Sequence, residues 1–154
     1  IIVGPNKLTG EWGQNPIPGP MDDYEKNVKR HCGRIGAIEV FLSGPGLENY
    51  YRYKTNSKKT SKEIVTLFNE NNSNALEVMD TYFERIARSF STFVNILDPD
   101  IIVCGGGMSE IDNIYDEIPK RIIPYIASNF FLTPIVKAKH GSSSGVRGAA
   151  HLWN

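Results

Sequence analysis

The chain has 154 residues, which corresponds to about one domain. Its 17 basic and 17 acidic residues balance, so the sequence predicts no overall attraction to nucleic acid or to an anionic membrane. Hydrophobic residues make up 40% and charged residues 22%, a composition that supports a folded core and excludes disorder of the whole chain.

Cysteine usage and the chain start bear on location. Cys32 and Cys104 cannot form the disulfide framework of a small secreted domain, and we therefore expect a cytoplasmic protein. The sequence begins Ile1-Ile2-Val3 without an initiator methionine or a signal peptide, which suggests a chain that starts within a longer protein. The longest apolar run, Ile101–Cys104, is far shorter than the roughly 18 residues that cross a bilayer, so no membrane association is expected.

Residues 4–36 are rich in Gly, Pro and Asn, and Asn15–Pro20 (NPIPGP) disfavours both helix and inner strand. Loops this long without secondary structure usually bind something or move. The sequence therefore predicts a functional loop or a flexible arm, and residues 4–39 are the first place to look for a site.

Helical patterns follow the loop. Thr60 and Glu63 have the spacing of a capping box, and Pro99 ends an apolar i, i+3, i+4 pattern that runs for more than six turns. The predicted helices cover residues 36–42, 47–53, 60–68 and 73–97, with Ser43–Gly46 interrupting the first two.

A strand, a glycine turn and a helix come next. Ile101–Cys104 predicts the strand, Gly105–Gly107 the turn, and residues 109–126 the helix, which Pro119 bends or splits. A short strand is predicted at 133–138, and a last helix from Ser144 to Trp153. This order predicts an α/β domain with a parallel pair of strands and a crossover helix.

The glycine turn allows two interpretations. Gly105, Gly106 and Gly107 follow a strand, where backbone amides can approach a nucleotide, or they simply permit a tight turn with positive φ. The turn is neither a P-loop nor a dinucleotide fingerprint, because the required lysine and third glycine spacing are lacking.

Several segments resemble one family. Gly10–Pro16 (GEWGQNP) resembles the G-E-W-G-H-N-P segment of bacterial ROK-family sugar kinases, and Cys32–Glu39 (CGRIGAIE) resembles their C-x-C-G-x-x-G-C-x-E segment. Three further segments are similar to the fructokinase members: Phe41–Gly46, Asn95–Ser109 and Lys137–Ala150.

The resemblance implies an α/β lobe of the actin-like, ribonuclease-H-like ATPase fold, with a mixed sheet, a long helix and a loop-rich N-terminal segment. The whole chain, 1–154, resembles the C-terminal lobe alone, with a sugar-binding loop region at 1–40 and an α/β core with the adenosine loop at 41–154. The other lobe, which carries the family's catalytic aspartate and phosphate loops, is absent from this sequence, so no catalytic residue is assigned and the fragment is expected to be inactive.

The site residues are carried over from the motifs. Glu11 and Glu39 match carboxylates that accept hydrogen bonds from sugar hydroxyls, and Gln14 stands where the family has a sugar-contacting histidine. Gly105–Gly107 match the adenosine loop. The implied ligands are a hexose, ATP and Mg²⁺. Without the resemblance, two acids in a loop would be read as solvated surface.

The family's structural zinc is expected to be lost. Its four ligand positions correspond to Gln14, Arg30, Cys32 and Ala37, and only the cysteine is a zinc donor. His31 lies beside Cys32 but is interpreted as a solvent-facing loop residue. We predict no metal site.

Other residues have simpler interpretations. Cys104 is predicted to be a buried small hydrophobe, Arg85 and Arg88 solvated helix-flank charges, and Trp12 either a sugar-stacking platform or loop packing. The long helix carries a wide aromatic face, which together with dimerisation of family members through this lobe predicts a homodimer. That face comprises Tyr82, Phe83, Phe90 and Phe93.

Three functions remain open. The first is part of an ATP-dependent hexose kinase, preferably a fructokinase, with an N-acetylhexosamine kinase as its near alternative. The second is a sugar-binding or repressor-like regulatory module derived from the family. The third is an inactive gene product, suggested by the three substituted zinc positions.

Overall fold

The computed structural model describes residues 4–151. Helices surround one long central helix, and a short parallel pair of strands lies beside it. In chain order the elements are α1 (Ile38–Leu42), α2 (Gly44–Thr55), α3 (Ser61–Asn69), α4 (Ser73–Leu97), β1 (Ile102–Cys104), α5 (Asn113–Arg121), β2 (Ile135–Lys137) and α6 (Ser144–Ala150).

The central helix α4 has the bounds that its apolar periodicity predicts. The side chain of Asn72 accepts a hydrogen bond from the Ala75 amide at 3.2 Å and caps the first turn. Asp98 adopts a left-handed conformation with φ of 41° and ends the helix before Pro99. Helices α1, α2, α3 and α5 pack against α4, so its apolar face is the centre of the core.

Local signals also set the neighbouring helices. The predicted capping box of α3 is confirmed, because Thr60 accepts from the Glu63 amide at 3.3 Å and the Thr60 amide donates to the Glu63 carboxylate at 2.8 Å. The Ser43 hydroxyl accepts from the Gly46 amide at 3.2 Å, which starts α2 directly after α1 with Pro45 in its first turn.

The fold class is confirmed. Strands β1 and β2 are parallel, with Ile102 opposite Ile135 and Cys104 opposite Lys137, and α5 forms the crossover between them. Within residues 4–151 the sheet consists of this parallel pair, so the mixed sheet implied by the resemblance is not formed by the described residues.

The helix predicted at 109–126 is shorter than expected. A 3₁₀ turn occupies Gly107–Glu110, α5 begins at Asn113, and a second 3₁₀ turn covers Ile123–Tyr125. Pro119 is accommodated within α5, whereas Pro124 lies in the second 3₁₀ turn after the end of this helix. The predicted extension of the last helix to Trp153 lies outside the described residues.

The loop at residues 4–37 is irregular but attached. Its regular parts are a 3₁₀ turn at Trp12–Gln14 and two isolated antiparallel bridges, one between Pro16 and Ala37 and one between Lys29 and Ile35. Ile17 is buried against α1, so the loop contributes to a second, smaller apolar cluster.

Two interpretations of α4 were wrong. Arg85 and Arg88 are not solvated flank charges, because only 2% and 9% of their surfaces are exposed. Tyr82 and Phe83 are covered within the chain itself: the Tyr82 hydroxyl donates to the Leu42 carbonyl at 2.8 Å, and Phe83 packs against Phe68. These two rings therefore give no reason to expect a partner protein.

Among residues 4–151, no helix combines the length and the hydrophobicity that crossing a bilayer requires.

Candidate functional site

The first half of the site forms where the loop meets α1. The Ile38 amide donates to the Asn15 carbonyl at 2.9 Å, and the Ile17 amide donates to the Gly36 carbonyl at 2.8 Å. These bonds hold the Trp12–Gln14 turn against the first turn of α1. A methyl group at Gly13 would lie 3.3 Å from the Glu39 Cβ atom, so glycine permits this close approach.

Glu39 is the centre of this half. Gln14 Nε2 donates to Glu39 Oε2 at 3.1 Å, and Arg30 Nε donates to Glu39 Oε1. Two of the three predicted sugar-binding residues, Gln14 and Glu39, therefore lie in direct contact. Glu11 is exposed, and within the described part of the chain its carboxylate has no hydrogen-bond or ion-pair partner.

Arg30 extends the cluster to Cys32. Its Nη1 atom donates to the Cys32 sulfur at 3.4 Å. The backbone amide of Arg34 and the Arg30 guanidinium both favour the thiolate, so the pKa of Cys32 lies below that of an ordinary thiol.

The donor set at the family's zinc positions does not fit the metal. Gln14 and Arg30 both donate to Glu39, and a guanidinium at this place would repel a cation. No group of three or more His, Cys, Asp or Glu side chains that could hold a metal ion occurs among residues 4–151.

Trp12 is used in packing. Its ring lies 5.9 Å from Phe90 and 5.4 Å from Phe93, both in edge-to-face geometry. The indole Nε1 donates to Thr92 Oγ1 at 2.8 Å. The indole therefore fastens the Trp12–Gln14 turn to the last third of α4.

The second half of the site is the glycine turn after β1. Gly106 has φ of 87° and ψ of 178°, a conformation that essentially only glycine adopts. The Ser109 amide and hydroxyl both donate to the Gly106 carbonyl, at 3.2 and 2.7 Å. Tyr115 donates in turn to the Ser109 carbonyl at 2.6 Å. The sequence pattern predicted Ser109 as the start of the helix, whereas the structure uses it, together with Tyr115, to support the turn.

Contacts from β2 hold the other side of this turn. A methyl group at Gly105 would lie 3.7 Å from Ala138 Cβ and 3.9 Å from Ser144 Cβ, both ordinary contact distances. Lys137 Nζ contacts Glu110 at 2.7 Å and Asp112 at 3.3 Å. The turn thus lies at the carboxyl ends of two parallel strands, the edge where ligands bind in α/β sheets.

An apolar cavity of about 310 Å³ lies between Trp12 of the first half and Gly105 of the second. Burial raises the pKa of the Cys104 thiol on its wall, so this sulfur is a neutral part of the lining. The cavity is lined by Trp12, Phe90, Phe93, Cys104, Gly105 and Met108, among others.

Comparison with known proteins gives this site its family. The ROK family model matches residues 1–154. The chain is 41% identical to the N-acetyl-D-glucosamine kinase of Vibrio cholerae and 38% identical to that of Vibrio atlanticus, each over 156 aligned positions, 99% of this chain and 52% of the relative.

A solved structure, a ROK family glucokinase from Streptomyces griseus in complex with glucose and AMPPNP, superposes with a TM-score of 0.80 at 19% identity, covering 95% of this chain and 51% of that one. The chain therefore spans about half the length of the curated relatives it matches. On the match over its whole length, the chain belongs to the ROK family.

Proposed function

We propose that this chain forms the sugar-contacting and adenosine-contacting part of an ATP-dependent kinase of hexoses or N-acetylhexosamines. The observation that supports it is a cavity whose lining includes one residue from each side: Trp12, which shares its 3₁₀ turn with Gln14, and Gly105, the first residue of the glycine turn. Gln14 in turn donates to Glu39.

The chemistry of each side suits one of the two substrates, the sugar at Glu39 and ATP at the glycine turn. A carboxylate accepts up to about four hydrogen bonds, so Glu39 can keep its bonds to Gln14 and Arg30 and still accept from a sugar hydroxyl. Glu11, free of protein partners within the described residues, supplies a second acceptor. The backbone at Gly105–Gly107 presents no Cβ to an adenosine. ATP, when bound with Mg²⁺, supplies the phosphoryl group, and no residue of this chain is assigned as the general base.

N-acetyl-D-glucosamine is the substrate we propose first, because the two relatives described above carry that activity in their names. Fructose, which the motif resemblance favours, is the second candidate. A regulatory sugar-binding module derived from the same family would bind sugar without transferring phosphate.

A titration and a chimera test this proposal. Titrating the ¹⁵N-labelled chain with N-acetyl-D-glucosamine should shift the signals of Gln14 and of residues near Glu39, and AMPPNP should shift those of Gly105–Gly107. The chain alone should form no sugar phosphate. Joined to the complementary half of the Vibrio cholerae kinase, it should phosphorylate N-acetyl-D-glucosamine faster than fructose.

The Glu39→Gln variant of the chimera is the internal control. Loss of one charged acceptor should lower kcat/KM by about tenfold to a hundredfold. Shifts scattered away from both clusters, or equal activity of the Glu39→Gln chimera, would contradict the assignment. Binding without turnover in a correctly folded chimera would favour the regulatory module.

A homodimer and a cytoplasmic location stay predictions. Phe90 and Phe93 remain partly exposed, so the dimer rests on these two rings and on the family resemblance. Light scattering at micromolar concentration should report twice the chain mass of 17.2 kDa, and a monomer would refute the dimer.

A further inference from the structure

A buried cluster of opposite charges joins the loop to the central helix. Glu25 of the loop is 1% exposed and lies between Arg85 and Arg88 of α4. Arg85 Nε donates to Glu25 Oε1 at 2.8 Å, and Arg88 Nη2 donates to Glu25 Oε2 at 3.1 Å. Asp22 adds a second carboxylate, 3.2 Å from Arg85 Nη2. Glu25 thus compensates two arginines in the interior, and Asp22 adds a negative group at the exposed edge of the cluster.

Contacts beyond the ion pairs give this cluster a defined geometry. Arg88 Nε donates to the Pro18 carbonyl at 2.8 Å, so one guanidinium binds the loop backbone and Glu25 together. A methyl group at Gly19, where φ is 84°, would lie 3.5 Å from this Nε atom. The Arg85 guanidinium stacks 4.0 Å from the centre of the Tyr50 ring. These contacts fix where the loop crosses α4.

A series of backbone hydrogen bonds connects the turn around Glu25 with the part of the loop next to Glu39. Glu25 lies within a turn in which the Val28 amide donates to the Tyr24 carbonyl at 3.1 Å. The Val28 carbonyl accepts from Gly36 at 3.0 Å, and the Gly36 carbonyl accepts from Ile17 at 2.8 Å. Two residues beyond this turn, Arg30 reaches Glu39.

We propose that Glu25 is a positioning residue for the sugar side of the site. By compensating Arg85 and Arg88, it holds residues 18–36 on α4 and so determines where Arg30 meets Glu39. The role in sugar binding rests on the proposed function, whereas the effect on loop geometry does not.

The test compares Glu25→Gln with Asp23→Asn. Both variants remove one negative charge from the same loop, but Asp23 is exposed, and its carboxylate pairs within residues 4–151 only with Lys26, at 3.6 Å. In Glu25→Gln exchange of the Ile17 and Gly36 amides should rise about tenfold more than exchange of the amides in the middle of α4, which follow the global stability. The Gln14 side-chain amide and Arg30 Nε signals, which report on Glu39, should shift. Asp23→Asn should change none of these.

Global destabilisation is separable from positioning. Global destabilisation alone would speed exchange in α4 and in the loop by the same factor and leave the Gln14 and Arg30 signals unmoved below the melting range, and that outcome would overturn the proposal. If Glu25→Gln does not fold, Arg88→Lys keeps the charge but loses the simultaneous contact with Pro18 and Glu25, and it should give the same local changes at smaller size. Unchanged Ile17 and Gly36 exchange there would equally refute it.

Measuring sugar affinity adds an independent part to this test. If the unsubstituted chain binds N-acetyl-D-glucosamine, Glu25→Gln should weaken binding about tenfold and Asp23→Asn should not. An unsubstituted chain that binds no sugar would refute the proposed function, while the exchange and side-chain signals would still decide whether Glu25 positions the loop. Equal sugar affinity of the two variants would refute the functional part of the inference.

Discussion

The loop that carries Glu11, Gln14 and Arg30 and the glycine turn at residues 105–107 form two sides of one candidate site, but different contacts hold them. The loop is held mainly by side chains distant in sequence: Arg85 and Arg88 bind Glu25, which lies 60 and 63 residues away. The turn is supported by near neighbours, such as Ser109 and Tyr115.

Because of this difference, the two regions should be sensitive to different kinds of substitution. A turn built from local hydrogen bonds depends on backbone conformation, and so on which residues are glycine. A loop held by buried ion pairs depends on complementary charges, because removing one partner leaves the other charged and desolvated. The four predictions that follow test whether the two regions respond in these separate ways.

The largest expected effect on stability comes from the anchor of the loop, the buried cluster of Glu25 with Arg85 and Arg88. Arg85→Ala leaves Glu25 with one guanidinium instead of two and should lower the free energy of unfolding by about 3–5 kcal/mol. Arg52→Ala removes an exposed side chain that, among the residues the structure describes, hydrogen-bonds only to Asn49, and it should cost about 0.5 kcal/mol or less. Urea unfolding of both variants measures this. Equal midpoints would mean that the buried cluster adds little stability.

A smaller effect is expected in the turn. Gly106→Ala forces a residue with a Cβ atom into a conformation that costs about 1–3 kcal/mol. Gly107→Ala is the matched control, since an added methyl group there meets no atom within 4 Å. Thermal unfolding should show a loss for the first variant only. A similar loss for both would mean that the turn needs flexibility rather than one special conformation.

Each region contains one cysteine, and the two should react differently. The pKa of Cys32 is lowered by the Arg34 amide and Arg30, whereas burial raises that of Cys104. More thiolate is therefore present at Cys32 at any given pH, and iodoacetamide should modify it about tenfold faster or more.

The pH dependence of the alkylation rate tests the directions of these two pKa shifts. The midpoint of the alkylation rate should lie below that of an ordinary thiol for Cys32 and above it for Cys104. Arg30→Ala should move the Cys32 midpoint upwards and leave Cys104 unchanged. Coincident midpoints in the unsubstituted chain would contradict the geometry around Cys32.

The smallest expected effect is that of a chelator. With Gln14, Arg30 and Ala37 at three of the four family zinc positions, removing metal should leave the melting temperature unchanged. Elemental analysis should find far less than one zinc per chain. About one zinc per chain after chelator treatment would refute this and would require His31 in the coordination.

Local signals in the sequence predicted much of the fold. The Thr60–Glu63 spacing and the position of Pro99 determine helix ends through contacts within four residues, and the structure has them there. The long apolar pattern predicted α4 because packing follows the period of the helix. The helix after the glycine turn was predicted too long, because 3₁₀ turns at Gly107–Glu110 and Ile123–Tyr125 occupy its two ends.

The anchor of the loop was missed for a physical reason. Nothing near Arg85 in the sequence shows that a carboxylate 60 residues earlier will face it. A signal was nevertheless present: Val78, Tyr82, Arg85 and Ser89 recur at helical spacing, which places the arginine on the buried stripe of α4. A charge inside an apolar stripe requires a partner. The proximity of Gln14 and Glu39 could likewise be predicted only from the family motifs.

The long sequence separation between Glu25 and its arginines has a consequence for the order of folding. Contacts that close a loop of about 60 residues are entropically costly to form early, so α4 and its neighbouring helices should assemble before residues 18–36 dock. The docked loop would then be absent from the folding transition state. Arg85→Ala is accordingly expected to speed unfolding and leave the folding rate nearly unchanged, which makes the loop at residues 18–36 the last part of the chain to form and the first to open.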